Sequence, residues 1–160
     1  PNDIGPSDIH FENGVIDLLA EDETQATELA KKCLSYTQGD VTDFEFTDQS
    51  VLRDIMPLNR QQTYDVRKIA QILVDTDSFL ELTLGFGKTI VTAFARIEGR
   101  PFGLLASDCQ SLGGAIDSDG ASKAARFFNI CNVFKLPIVS LVDTPGFMVG
   151  PVSELSLIHI

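Results

Sequence analysis

Ile138-Val139-Ser140-Leu141-Val142 runs without a break into Asp143-Thr144-Pro145-Gly146-Phe147-Met148-Val149-Gly150, and this stretch decides the fold class. A continuous apolar, β-branched run reads as a strand buried on both faces, the pattern of parallel rather than half-exposed antiparallel sheet. Upstream, Asp117 or Asp119 can cap a helix whose inner face would hold Ala121, Ala124, Phe128 and Cys131, and Pro137 follows as a stop. Upstream again, Thr89-Ile90-Val91-Thr92-Ala93-Phe94-Ala95-Arg96-Ile97 and Phe102-Gly103-Leu104-Leu105-Ala106 flank Glu98-Gly99-Arg100-Pro101, a hairpin pattern. Strand, strand, helix, strand in that order makes the last strand parallel to its neighbour through a right-handed crossover. The class is α/β.

Further toward the N-terminus, Phe79 to Thr83 reads as a short strand, and a helix is expected from about Thr63 with Val66, Ile69, Ala70 and Leu73 on one face. Residues 40–63 carry Asp40, Asp43, Glu45, Asp48 and Pro57 with little periodicity and read as an acidic linker. Before it, Ala26, Leu29, Ala30, Cys33 and Leu34 recur at helical spacing after an Asp22 cap, with Gln25 three residues on and Gly39 as the stop. Gly14-Val15-Ile16-Asp17-Leu18-Leu19 reads as a short strand. Residues 1–39 thus form the end of a preceding α/β unit, and 64–154 the first part of a second.

The 160 residues carry 12 Lys plus Arg against 23 Asp plus Glu, a net charge of −11. A chain so acidic has no basic surplus for a nucleic acid backbone, so that partner class is excluded. The charge is uneven: residues 1–54 hold 13 acids and 3 bases, residues 55–160 hold 10 acids and 9 bases. Such asymmetry supports two structural units. Cys33, Cys109 and Cys131 are odd in number and widely spaced, which argues against a disulfide framework or a zinc site and for a reducing cytoplasm. No metal site is expected. No apolar run reaches the roughly 18 residues of a membrane span, so no membrane partner is expected.

In open parallel sheets, sites form where the chain leaves the carboxyl ends of strands. Gly146 permits backbone conformations that can aim successive amide N–H groups at one anionic oxygen. A turn with no chemistry fits the same spacing. So at first does a GTP-binding switch, with Gly85-Phe86-Gly87-Lys88-Thr89 as phosphate loop. A Walker A loop, however, needs Gly where Leu82 stands and a helix after the Lys, where a strand is expected. No Asn-Lys-x-Asp stretch reads a base. His10 is a lone, exposed histidine and Cys109 lacks an evident base, so neither meets what nucleophile activation requires. Cys33 and Cys131 fall on apolar helical stripes, and Lys123 and Arg126 read as a solvated helix face.

Five segments, in this order and spacing, carry a resemblance: Tyr64-Asp65-Val66-Arg67, Asp77-Ser78-Phe79-Leu80-Glu81, Leu112-Gly113-Gly114-Ala115-Ile116-Asp117, Lys123-Ala124-Ala125-Arg126-Phe127 and Asp143 to Pro151. They resemble the C-terminal half of the carboxyltransferase of biotin-dependent acyl-CoA carboxylases, of the acetyl-CoA and propionyl-CoA carboxylase type. Residues 5–39 resemble the end of the same family's N-terminal half, which places the chain across the junction of the two halves. The resemblance implies incomplete crotonase-like (ClpP/crotonase) ββα units with a preceding α/β tail. It implies transfer of a carboxyl group from carboxybiotin to the α-carbon of an acyl-CoA thioester, with backbone N–H donors stabilising the oxyanions. The cofactor is then biotin on a carrier domain and the substrate a CoA thioester. The implied partners are the biotin carboxyl carrier, biotin carboxylase and further copies of the same subunit.

Carried over by position, Gly146 and Phe147 would offer oxyanion-type N–H groups, and Gly113, Gly114 and Ala115 would line the biotin side. A decarboxylase or non-catalytic relative of the same fold remains a further reading. The family continues past Pro151 with a long helix, a strand and a Gly-Gly-Ala loop, whereas this chain ends Leu155-Ser156-Leu157-Ile158-His159-Ile160. That hexapeptide is the translation of the adapter CTGTCTCTTATACACATC, so residues 155–160 are expected to be a library artefact and His159 to carry no function. The chain alone is expected to be inactive and poorly soluble. Reading the source DNA past Glu154 checks this: continuation into a Gly-Gly-Ala loop is expected, and a genuine stop after Ile160 would remove the artefact reading.

Overall fold

The computed structural model describes residues 5–59, 62–151 and 153; the expected artefact at 155–160, with His159, lies outside them. Five α-helices are described: α1 (Ser7–Glu12), α2 (Glu23–Ser35), α3 (Leu52–Ile55), α4 (Val66–Leu73) and α5 (Ser118–Phe134). Four strands, β1 (Leu80–Leu82), β2 (Ile90–Ile97), β3 (Arg100–Ser107) and β4 (Ile138–Leu141), form one sheet in the order β1-β2-β3-β4. β1, β2 and β3 are antiparallel neighbours, and β4 lies parallel to β3 with Gly103 opposite Ile138.

The β2–β3 turn is tighter than expected. Ile97 pairs with Arg100, leaving Glu98 and Gly99 as a two-residue turn with φ of 50° and 77°, the left-handed pair that matches strand twist. Asp75 secures it by accepting from the N–H groups of Glu98 (2.9 Å) and Gly99 (2.7 Å).

Alternation along β2 sends side chains to two cores. Val91, Ala93 and Ala95 pack with Val66, Ala70 and Val74 of the α4 region, while Phe94 packs with Tyr36, Phe127 and Cys131 beneath α5 and the end of α2. Phe94 stacks between Tyr36 and Phe127 with ring centroids 5.5 and 5.8 Å away. Continuous burial therefore falls on β2. β4, expected to be covered on both faces, is the outermost of the described strands, and its Ser140 is exposed, as is Val142 just beyond it. On α5 the inner face holds Ala121, Lys123, Phe127 and Cys131, with Phe128 outside, so the stripe is one residue off the expected set at its centre. Gly103 allows this close packing, since a Cβ there would sit 2.5 Å from Cys131 Sγ.

Asp22 caps α2 by accepting from Gln25 N, and the Gln25 side chain accepts from Glu21 N, as the spacing predicted. The helix ends at Ser35, before Gly39. Gly14–Leu19 is not a strand; it is an irregular segment fastened by side chains. Asp17 receives Thr83 Oγ1 on one carboxylate oxygen and Arg126 on the other, both at 2.7 Å, and Arg126 also donates to Gly14 O. Within residues 40–63 the chain forms a 3₁₀ turn (Gln49–Val51) and α3, and Phe46 bridges Asp75.

Arg96 joins the first part of the chain to the sheet. Its guanidinium is buried and donates to the carbonyls of Gly39 (2.9 Å), Gly99 (2.7 Å) and Ser35 (2.7 Å), 5.2 Å from the centre of the Tyr36 ring. Tyr36 is equally buried and donates its hydroxyl to Ser78 O. Replacing Arg96 with Met should cost about 3 kcal/mol, because three carbonyls lose a charged donor. Urea denaturation checks the cost; a loss below 1 kcal/mol would contradict the joining role.

Candidate functional site

The chain leaves β4 into the Asp143–Gly150 loop, which meets the turn over Leu112–Gly114. Ile116 N donates to Gly146 O (2.9 Å) and Met148 N to Ile116 O (2.8 Å), a one-residue parallel bridge between Ile116 and Phe147. In such a bridge the N–H and C=O of Phe147 point away from Ile116. The Phe147 N–H has no acceptor among the described residues, and its ring is exposed. The N–H of Gly146 donates to Thr144 Oγ1 (3.1 Å), that of Gly114 to Ser111 O (2.9 Å) and that of Ala115 to Leu112 O (3.2 Å). Gly114, at φ 84°, lies so close to the loop that a Cβ would come 2.8 Å from Asp143 O. Nothing lies within 4 Å of where a Cβ would stand on Gly113 or Gly146. The fold thus brings Gly113, Gly114, Ala115, Gly146 and Phe147 together, and among the described residues the N–H groups of Phe147 and Gly113 are left without an acceptor.

A cleft of about 580 Å³ runs beside these loops, lined by Tyr64, Cys109, Gly113 and Asp143 among others. Tyr64 OH donates to Asp143 Oδ2 at 2.7 Å, while Cys109 Sγ accepts from Tyr64 N and donates to Tyr64 O, both at 3.3 Å. The phenol is pushed well above its ordinary range, first by burial and then by the hydrogen bond and charge of Asp143. Cys109 spends its hydrogen bonds on backbone, in keeping with its having no base partner. His10 is half-buried rather than exposed, and its Nδ1 has no partner among the described residues. Gly85–Lys88 and Thr89 lead straight into β2, and the Thr89 hydroxyl donates to Asp117 (2.8 Å), so this segment does not build a phosphate loop.

A second polar cluster lies under α4. Arg67 forks onto Glu81 with two bonds of 2.8 Å and reaches Asp108 at 2.6 Å. Burial pulls its guanidinium down, but the bonds and charges of Glu81 and Asp108 outweigh this and hold it above its ordinary value. Lys123, expected on a solvated face, is only 4% exposed and donates to Phe86 O at 3.1 Å. The apolar neighbours at 121, 124 and 127 gave no sign of this, because a lysine in a helix is ordinarily outside. Arg126 stays partly exposed on Asp17.

A family profile described as "Carboxyl transferase domain" matches residues 2–157. The chain belongs to the carboxyl transferase domain family. Among curated relatives, the methylmalonyl-CoA carboxyltransferase 12S subunit of Propionibacterium freudenreichii subsp. shermanii is 36% identical over 96% of this chain and 31% of its own length. The propionyl-CoA carboxylase beta chain of Rhodococcus erythropolis is 38% identical over 92% and 32%. Among solved structures, a single-chain, multi-domain long-chain acyl-CoA carboxylase superposes with TM-score 0.96 and 46% identity, over 99% of this chain and 16% of that one. The transcarboxylase 12S hexamer with hydrolysed methylmalonyl-CoA bound superposes with TM-score 0.85 and 34% identity, over 98% and 33%. The chain therefore spans about a third of the length of the curated relatives it matches, and the fold is the crotonase-like α/β fold of this carboxyl transferase domain.

Among the described residues of this carboxyl transferase domain, no helix is long and apolar enough to cross a membrane, and no group of three or more His, Cys, Asp or Glu is placed to hold a metal. The buried lysine has a measurable consequence. Burial pulls Lys123 down to about 8; Glu81, Asp108 and Asp17 oppose the fall and Arg67 adds to it. Below about pH 8 the folded chain holds a buried charge, whereas the unfolded lysine stays protonated to about pH 10.5. Between those values the unfolded chain binds more protons, so the folded state gains up to about 3 kcal/mol as pH rises. Measured against Lys123→Met in urea, wild-type stability should climb between pH 7.5 and 10; a flat difference would rule out the buried charge.

Proposed function

We propose that this chain is part of an enzyme that transfers a carboxyl group from carboxybiotin to the α-carbon of an acyl-CoA, and that its Asp143–Gly150 loop supplies backbone stabilisation for an oxyanion. The open Phe147 N–H, at the carboxyl end of β4 and beside the Gly113–Ala115 turn, carries this reading. Chemistry through enolates and ureido oxygens needs fixed donors rather than a nucleophile, and a backbone N–H held by a bridge on either side reorganises little as charge develops. Gly113 and Gly146, with no atoms over their α-carbons, leave room for a ring to approach the backbone, so the residues present fit biotin. Biotin supplies the activated carboxyl group when bound. The chain's own part is to present Phe147 N–H to an oxyanion, to orient that donor through Ile116, and to keep the glycine surface clear. Gly146 N–H can join it on turning away from Thr144 Oγ1.

The relatives' names support the cofactor and substrate classes: several are called biotin-dependent acetyl-/propionyl-coenzyme A carboxylase subunits, and a further transcarboxylase 12S structure holds methylmalonyl-CoA and methylmalonic acid. On the same grounds the partners are a biotin carboxyl carrier, a biotin carboxylase and further copies of the subunit. A biotin-dependent decarboxylase would use the same donor and differ in direction. The GTP-binding reading has nothing left to support it.

The test is a chimera in which residues 5–151 replace the matching third of the Propionibacterium 12S subunit. It should retain carboxyl transfer between methylmalonyl-CoA and free biotin. In that chimera Phe147→Pro removes the open donor while sparing both bonds to Ile116, so kcat should fall about 100-fold. Loss of transfer in the unmutated, folded chimera would favour a non-catalytic relative; an unchanged kcat in the Pro variant would remove Phe147 from the mechanism.

A further inference from the structure

Both glycine-bearing loops hang on the residue that enters α4. Tyr64 OH holds the Asp143 carboxylate at 2.7 Å, at the point where the chain leaves β4. Its backbone N–H and C=O hold Cys109 Sγ at 3.3 Å each, just ahead of the Leu112–Gly114 turn. Asp143 is further fixed by donating its N–H to Ser107 Oγ (3.3 Å), and its carbonyl abuts Gly114. Cys109 Cα also lies against Gly114, 3.6 Å from where a Cβ would stand. Tyr64 itself is held by the helix that follows, because Asp65 caps α4 by accepting from Arg67 N, and Arg67 is fixed on Glu81 and Asp108.

We propose that Tyr64 is a positioning residue: a clamp that sets the distance and angle between the Leu112–Gly114 turn and the Asp143–Gly150 loop, and so the direction of the Phe147 N–H. It touches no reacting atom on this reading; it acts through Asp143 and Cys109. Tyr64 sits outside both loops and on the far side of the sequence, 79 residues from Asp143, so the contact couples segments that neither strand pairing nor the Ile116–Phe147 bridge joins. A hydroxyl on a rigid ring reaching a carboxylate is directional, which a packing contact is not. The role in transfer rests on the proposed function; the clamp does not.

The two are tested separately. In the 160-residue chain, amide hydrogen exchange is followed residue by residue for wild type, Tyr64→Phe, Asp143→Ala and the double variant. Exchange at the bonded amides of Gly114, Ala115, Ile116, Gly146 and Met148 should rise about tenfold in each single variant, with no further rise in the double, while β2 and β3 amides stay unchanged. Unchanged loop exchange, or a rise spread equally through β2 and β3, would overturn the clamp. Asp143→Ala alters an exposed side chain, so it reads the same bond even where Tyr64→Phe fails to fold. In the 12S chimera, Tyr64→Phe should lower kcat about tenfold and leave the KM for methylmalonyl-CoA within twofold. Faster loop exchange with unaltered kcat would keep the clamp and overturn only its part in transfer, whereas an inactive parent chimera would speak against the function alone.

Discussion

A buried guanidinium, bonded to backbone carbonyls, ties the chain's first part to its sheet. Arg96 stands on the central strand and gives its protons to the carbonyls of Ser35, Gly39 and Gly99. Ser35 is the last residue of α2, Gly39 lies in the segment just past it, and Gly99 belongs to the turn that Asp75 secures. The first part of the chain is thus tied to the hairpin by hydrogen bonds that only a long, planar, permanently charged side chain can make at once. Tyr36 covers the guanidinium, Phe94 and Phe127 continue the aromatic row, and α5 takes its height above the sheet from Gly103 and Cys131.

Everything at the loop end inherits its placement from that body. β4 enters the loop with its direction set by pairing to β3, and α5 begins at Asp117, whose carboxylate takes both Gly120 N and Thr89 Oγ1. Between these fixed points lie two short segments joined by the Ile116–Phe147 bridge. The N–H groups of Phe147 and Gly113 have no acceptor among the described residues and stand beside two bare glycine faces, a set suited to chemistry that asks for charge stabilisation rather than for a reactive side chain.

Much of this was legible in the residues. The hairpin, the Asp22 cap, a cap at Asp117 or Asp119 and the parallel last strand follow from patterns with a direct physical cause, whereas the nearness of the two glycine loops came only from the family resemblance. The misreadings share another cause, which is partners distant in sequence. Lys123 is inside with its ammonium on Phe86 O, a partner 37 residues away in the sequence. Gly14–Leu19 alternates well enough for a strand, yet Asp17 is claimed by Thr83 and Arg126. β4 is apolar like a central strand and is the last of the four described strands in the sheet, with Ser140 exposed. Tyr64 drew notice as part of a resembling segment, while its bond to Asp143 had no local signal at all.

The order of the strands also bears on how the chain folds. β1, β2 and β3 pair as neighbours in sequence, and the β2–β3 turn is closed by two residues, so this meander can form from local contacts. The β3–β4 pairing must first close a loop through the whole of α5, and the bridge between Ile116 and Phe147 can form only after that. Closing that loop costs chain entropy that the two-residue turn of the hairpin does not. The end of the molecule that carries the candidate site is therefore held by contacts between segments distant in the chain, while the hairpin beneath it is held by neighbours.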